Sequence, residues 1–133
     1  MPLKVLHSFI HQTDEKITSL TVSLGEDGVF ITLSDKKSKN RVKLGLDEVA
    51  GLADAVERNR NWSAFHTFTT LENKESRNRI NYADGFFSIE GETKIAMKLA
   101  ENEKVAFART LDFAFERILL NKLETEGSLK FNK

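Results

Sequence analysis

The order of patterns along residues 3–60 returns along residues 62–123, and a chain made of two copies of one unit can fold in few ways. HTF at 66–68 echoes HSF at 7–9. Asp84-Gly85 followed by FFSIE echoes Asp27-Gly28 followed by VFITL, and TKIAMKLAENEKVAFARTL at 93–111 echoes NRVKLGLDEVAGLADAV at 40–56. Several matches kept in one order point to a duplicated unit.

Each copy resolves into the same elements. In the first, Leu20, Val22 and Leu24 alternate with Ser19, Thr21 and Ser23, the period-two pattern of a strand with one buried face. GEDG at 25–28 is turn chemistry, and Val29, Ile31 and Leu33 then alternate with Phe30, Thr32 and Ser34. After SDKKSKN, Val42, Leu44 and Leu46 alternate with Arg41, Lys43 and Gly45. At Asp47 the period changes: Val49, Leu52, Ala53 and Val56 share one helical face, and Asp47 and Glu48 suit its positive N-terminal end.

The second copy places strands near 63–70, 77–83, 86–90 and 93–99 and a helix from about Asn102 to Leu123. Residues 3–12 read as a strand through their echo with WSAFHTF, although Leu3, Leu6 and Ile10 also suit a short helix. The expected fold class is therefore α+β, a duplicated strand-strand-strand-strand-helix unit with antiparallel sheets packed on helices. It forms one domain over 1–123, with repeats at approximately 3–60 and 62–123 and a flexible tail at 124–133. One such unit leaves an apolar sheet face that a single helix only partly covers, a physical reason to pair two.

Composition removes several functions. The chain has no cysteine, which excludes disulfide scaffolds, thiolate zinc sites and cysteine nucleophiles. It has no apolar run near the roughly 18 residues of a membrane span and its start lacks a secretory pattern, so a soluble cytoplasmic protein with no membrane partner is expected. Lys plus Arg and Asp plus Glu both number 20, so any attraction for a polyanion must come from local segregation of charge.

That segregation is visible in the alternation. If the aliphatic set faces the helices, Phe30, Arg41 and Lys43 lie on the opposite face with hydroxyl side chains and no acid; Lys36, Lys37 and Lys39 extend it along the 36–43 hairpin. In the second copy the same logic turns Lys94 and Lys98 outward, beside Phe86 or Phe87 and some of Arg77, Asn78 and Arg79. WSAFHTF at 62–68 splits, with Trp62, Ala64, His66 and Phe68 on one face and Phe65, Thr67 and Thr69 on the other; Trp62 or Phe65 is expected to reach ligand, with Phe68 packed inward. Bases stack on aromatic rings and phosphates pair with Lys and Arg, so such a face suits a single strand of nucleic acid.

GVFITLSDKKSKNRVKLGLDEVAGLADAV and its echo GFFSIEGETKIAMKLAENEKVAFARTL resemble the Whirly and Pur-alpha group of single-stranded nucleic-acid-binding proteins, whose unit of four strands and a helix is duplicated. The related positive-cofactor coactivators carry one copy and pair it by dimerising. With the HSF and HTF strands the likeness covers most of residues 5–122, and WSAFHTF is faintly similar to archaeal ThermoDBP-related binders. The resemblance implies binding of single-stranded DNA, favoured over RNA; the neutral charge balance departs from it.

Other chemistry has little support. No Gly-rich phosphate loop and no HExxH occurs. His7, His11 and His66 lack a patterned carboxylate near them in sequence, so ordinary hydrogen-bonded histidines are expected, with no metal, no cofactor and no enzyme activity. On the second helix Val105, Ala108, Leu111, Phe115, Ile118 and Leu119 form one stripe while Phe107, Phe113 and Leu120 lie off it. A helix apolar on two sides is buried on two sides, which predicts a homodimer through this helix. The rival function is a protein-interaction or regulatory domain whose aromatic strand meets a partner chain. A third is a small-molecule pocket between sheet and helices.

Overall fold

The computed structural model describes residues 3–69, 73 and 75–131, without the side chains of 68, 69 and 125–131. Its elements run β1 (Lys4–Gln12), β2 (Ile17–Leu24), β3 (Val29–Ser34), β4 (Lys39–Leu44), α1 (Leu46–Arg58), β5 (Trp62–Thr69), β6 (Glu75–Ala83), β7 (Phe86–Glu90), β8 (Lys94–Lys98) and α2 (Glu101–Phe131). They form two antiparallel four-stranded sheets, β1-β2-β3-β4 and β5-β6-β7-β8. The duplicated α+β layout is present, and residues 4–12 are a strand. α2 continues beyond the expected end at Leu123, to Phe131.

Alternation drives the strands onto their cores. Leu20, Val22, Val29, Ile31, Leu33, Val42 and Leu44 are all buried, as are Ile80, Phe87, Ile89, Ile95 and Met97 in the second sheet. Each such side chain contributes about 1.5–3 kcal/mol on leaving water. Both sheets share one core: the Phe107 ring of α2 meets Phe9 of β1 at 6.1 Å and Phe87 of β7 at 5.4 Å, edge to face in each case.

The helices are exchanged between the copies. Beyond the turn that joins it to β4, α1 lies along β5 and β6 of the second sheet, while α2 lies along β1 and β2 of the first. Both helices begin with the same device, a glutamate in the first turn accepting an N–H from the residue before the helix. Gly45 donates to Glu48 Oε1 at 3.1 Å, and Ala100 donates to Glu103 Oε1 at 2.8 Å. α1 ends on Asn59 in the left-handed region (φ 54°), with the Arg60 N–H closing onto Ala55 O.

The sequence echo is out of step with the structural equivalence in two places. The second hairpin turns on Asp84 (φ 50°) and Gly85 (φ 83°) alone, a two-residue turn with both residues left-handed. The first uses all of GEDG, so its Asp-Gly only finishes a longer loop. A shift of one position reverses a strand's faces. Val29 after the first Asp-Gly is accordingly buried, whereas Phe86 after the second is exposed and Phe87 fills the core. In β1, the counterpart of His66 is His11 rather than His7: both face the first turn of a helix.

Candidate nucleic-acid interface

The open face of the first sheet is a set of cross-strand rows. Ser8, Thr21, Thr32 and Arg41 form one; Val5, Ser23, Phe30 and Lys43 form the next; Ile10, Ser19, Ser34 and Lys39 form the third. Hydroxyls bond along the rows, Ser8 with Thr21 at 3.0 Å and Ser19 with Ser34 at 2.7 Å. Arg41 Nε donates to Thr32 Oγ1 at 3.1 Å, which lays the guanidinium along the sheet. Lys36 and Lys37 are exposed at the turn beyond this face. In that turn Asp35 Oδ1 accepts the N–H groups of Lys37 and Ser38, and these bonds hold its carboxyl below the usual range.

On the second sheet Phe65, Arg79, Glu90 and Lys94 share a row, with Thr67 and Arg77 beside it on one side; on the other, the row of Ser63, Asn81, Ser88 and Ala96 separates it from Phe86 and Lys98. The Phe65 ring carries Arg77 Cζ at 3.9 Å and Arg79 Cζ at 5.7 Å from its centroid, and Lys98 Nζ stands 5.7 Å from that of Phe86. Phe65 is 51% exposed and Phe86 46%. Glu90 is an acid on this face, between Arg79 and Lys94 in the row.

Trp62 is not on that surface. It pairs with the core residue Tyr82 and turns towards α1, where a Cβ on Gly51 would stand 2.9 Å from its indole Nε1. Alternation separated Trp62 from Phe65, but only the register with Tyr82 decides which of the two is covered. Phe65 is the outward ring; the side chain of Phe68 lies outside the described residues. Asn78 lies on the covered side, with Arg77 and Arg79 opposite.

A cleft of about 510 Å³ marks the seam between the sheets. β4 contributes Arg41, Val42 and Lys43, and His66, Thr67 and Asn78 close it from the second sheet. Asn40 fixes the seam by donating to Ile89 O at 2.9 Å and Thr93 O at 3.0 Å. The cleft thus adjoins the Arg41 and Lys43 rows on one side and Thr67, beside Arg77, on the other. His66 Nε2 is 2.7 Å from Glu48 Oε2; a carboxylate only accepts, so this nitrogen carries the hydrogen. His11 repeats the contact with Glu103 at 2.8 Å. Sequence spacing missed both partners because each arrives from the other copy's helix.

Among the described residues no three His, Cys, Asp or Glu side chains gather as metal ligands, and no helix is long and apolar enough to cross a membrane. α2 buries Phe107, Ala108, Leu111, Ala114 and Ile118. Val105 and Leu119, expected in the buried stripe, instead join Phe113, Leu120 and Leu123 on its exposed side. Burial, Glu57 and Glu116 push the Asp112 carboxyl on that side above its ordinary value. No protein-family model and no curated protein matches the chain.

Proposed function

We propose that this chain binds single-stranded nucleic acid, DNA before RNA, across the two open sheet faces and the cleft between them. The observation that carries the reading is Phe65, half exposed on a polar face with Arg77 and Arg79 close beside its ring. A half-exposed ring with two guanidinium groups beside it offers a base a surface to stack on while the same cations meet the flanking phosphates. Phe86 with Lys98, and Phe30 with Arg41 and Lys43, offer the same chemistry farther along. Lys36, Lys37, Lys39 and Lys94 add charge at the margins.

The exposed side of α2 supports a homodimer through this helix, since Phe113, Leu119, Leu120 and Leu123 form an apolar stretch beyond the isolated apolar residues of an ordinary surface. A second reading, docking of a protein partner, draws on Val5 and Ile10, which are exposed on the edge strand β1. Fluorescence anisotropy with labelled DNA and RNA oligonucleotides at two salt concentrations separates the two. Binding that weakens steeply with salt supports the nucleic-acid reading, and absence of binding at low salt and micromolar protein rejects it.

A further inference from the structure

A pocket of about 650 Å³ opens at one end of the first sheet, beside the β2–β3 turn. Phe30 and Leu24 form its apolar wall, Lys4, Lys43, Glu26 and Asp27 its charged one, and Asn121 of α2 closes it. The turn is shaped to this purpose. A Cβ on Gly25 would stand 2.9 Å from Phe30 Cε2, and one on Gly28 would stand 2.8 Å from Lys43 Cε. Neither glycine has a positive φ, so what each supplies is room, one for the ring and the other for the lysine stem and the Leu44 carbonyl of β4, 2.9 Å from such a Cβ. Lys43 Nζ reaches Asp27 Oδ1 at 2.8 Å.

Asp27 is out of place on a surface for phosphates, because it cancels a cation and repels the backbone. A base edge gives it a partner. The order Nζ, Oδ1, Oδ2 is a donor followed by two acceptors. The Watson–Crick edge of guanine carries the complement: the O6 acceptor, then the N1–H and N2–H donors. Adenine offers one exocyclic donor beside one acceptor and cytosine one beside two, which in either case leaves a carboxylate oxygen unanswered. Thymine and uracil end the edge on a second carbonyl, which faces that oxygen with like charge. We infer that this pocket receives a guanine base, stacked on Phe30 and read along its Watson–Crick edge by the Lys43–Asp27 ion pair. The inference rests on the single-strand binding proposed above, and it makes Lys43 a reader of base rather than of phosphate. Base readout of this kind belongs to unpaired strands, whose Watson–Crick edges are free.

The test measures anisotropy of the full chain with a short labelled oligo-dT and with the same strand carrying one central guanine, adenine or cytosine. Guanine is expected to tighten binding about tenfold over thymine, the scale of one good bidentate base contact, with adenine and cytosine between. Asp27→Asn replaces one acceptor with an NH₂ donor and should bring the guanine strand down to the level of the adenine strand. Asp27 is exposed in a turn, and an unchanged melting temperature verifies that the variant is folded. Equal binding of all four strands, or a guanine preference that survives Asp27→Asn, overturns the guanine pocket and leaves single-strand binding standing. Failure of every strand to bind overturns both.

Discussion

The Glu48 carboxylate holds two elements at once: Oε1 accepts the Gly45 N–H that opens α1, and Oε2 accepts from His66 of β5 at 2.7 Å. Glu103 does the same between Ala100 and His11. Glu48→Ala should therefore cost about 1–3 kcal/mol, a cap and a hydrogen bond to a charged group together. Glu103→Ala should cost a similar amount, whereas Glu48→Gln should recover part of the loss because an amide oxygen still accepts. Urea unfolding curves measure all three, and a neutral Glu48→Ala would remove the double role.

Phe65→Ala should weaken oligonucleotide binding by about 1–3 kcal/mol, the range of one base stacked on one ring, and leave the melting temperature nearly unchanged. Trp62→Ala should behave in the opposite way. It empties the space between β5 and α1 and so lowers the melting temperature. Equal binding losses in two equally stable variants would contradict the assigned faces.

Arg41→Ala should reduce the slope of log affinity against log salt by about one, the signature of one lost phosphate contact. Titrations at several salt concentrations give the slope directly. An unchanged slope assigns Arg41 to the sheet alone, through its bond to Thr32.

Gly51 sets two effects against each other. Alanine within a helix gains about 1 kcal/mol over glycine, but its Cβ would press on the Trp62 indole and overpacking costs about 1–3 kcal/mol. Gly51→Ala alone should destabilise, and combined with Trp62→Phe it should stabilise relative to Trp62→Phe alone. Thermal melts of the wild type, both single variants and the double variant close the cycle.

Asp112 has its carboxyl raised by burial, Glu57 and Glu116, so the folded chain holds this proton more tightly than the unfolded chain. Stability from this group is then present at low pH and falls as pH climbs from the ordinary carboxylate value through the raised one. Asp112→Asn should raise the melting temperature at neutral pH and change it little in acid, with solvent screening keeping the gain small. Melts across that range decide the sign.

The strands and the inward set from Leu20 to Leu44 were legible because alternation is local. Phe86 and Phe87 could not be told apart in the same way, since the choice depends on whether Asp-Gly forms a whole turn or the end of a longer one. Trp62 and Phe65 posed the same problem: their separation is local, but which side is covered depends on Tyr82 and Gly51, far along the chain. The partners of His11 and His66 were hidden for a further reason. Local patterns carry no sign that each glutamate serves the strand of the opposite copy.

The exchange of helices also governs when the chain can fold during its synthesis. The first sheet leaves the ribosome well before α2, the helix that lies along it, so Phe9 waits for Phe107 through most of translation. Domains generally fold as units as the chain emerges, but neither copy is such a unit here. The order imposed on the nascent chain is to lay the second sheet on a helix already made and to hold the first open until the last helix arrives.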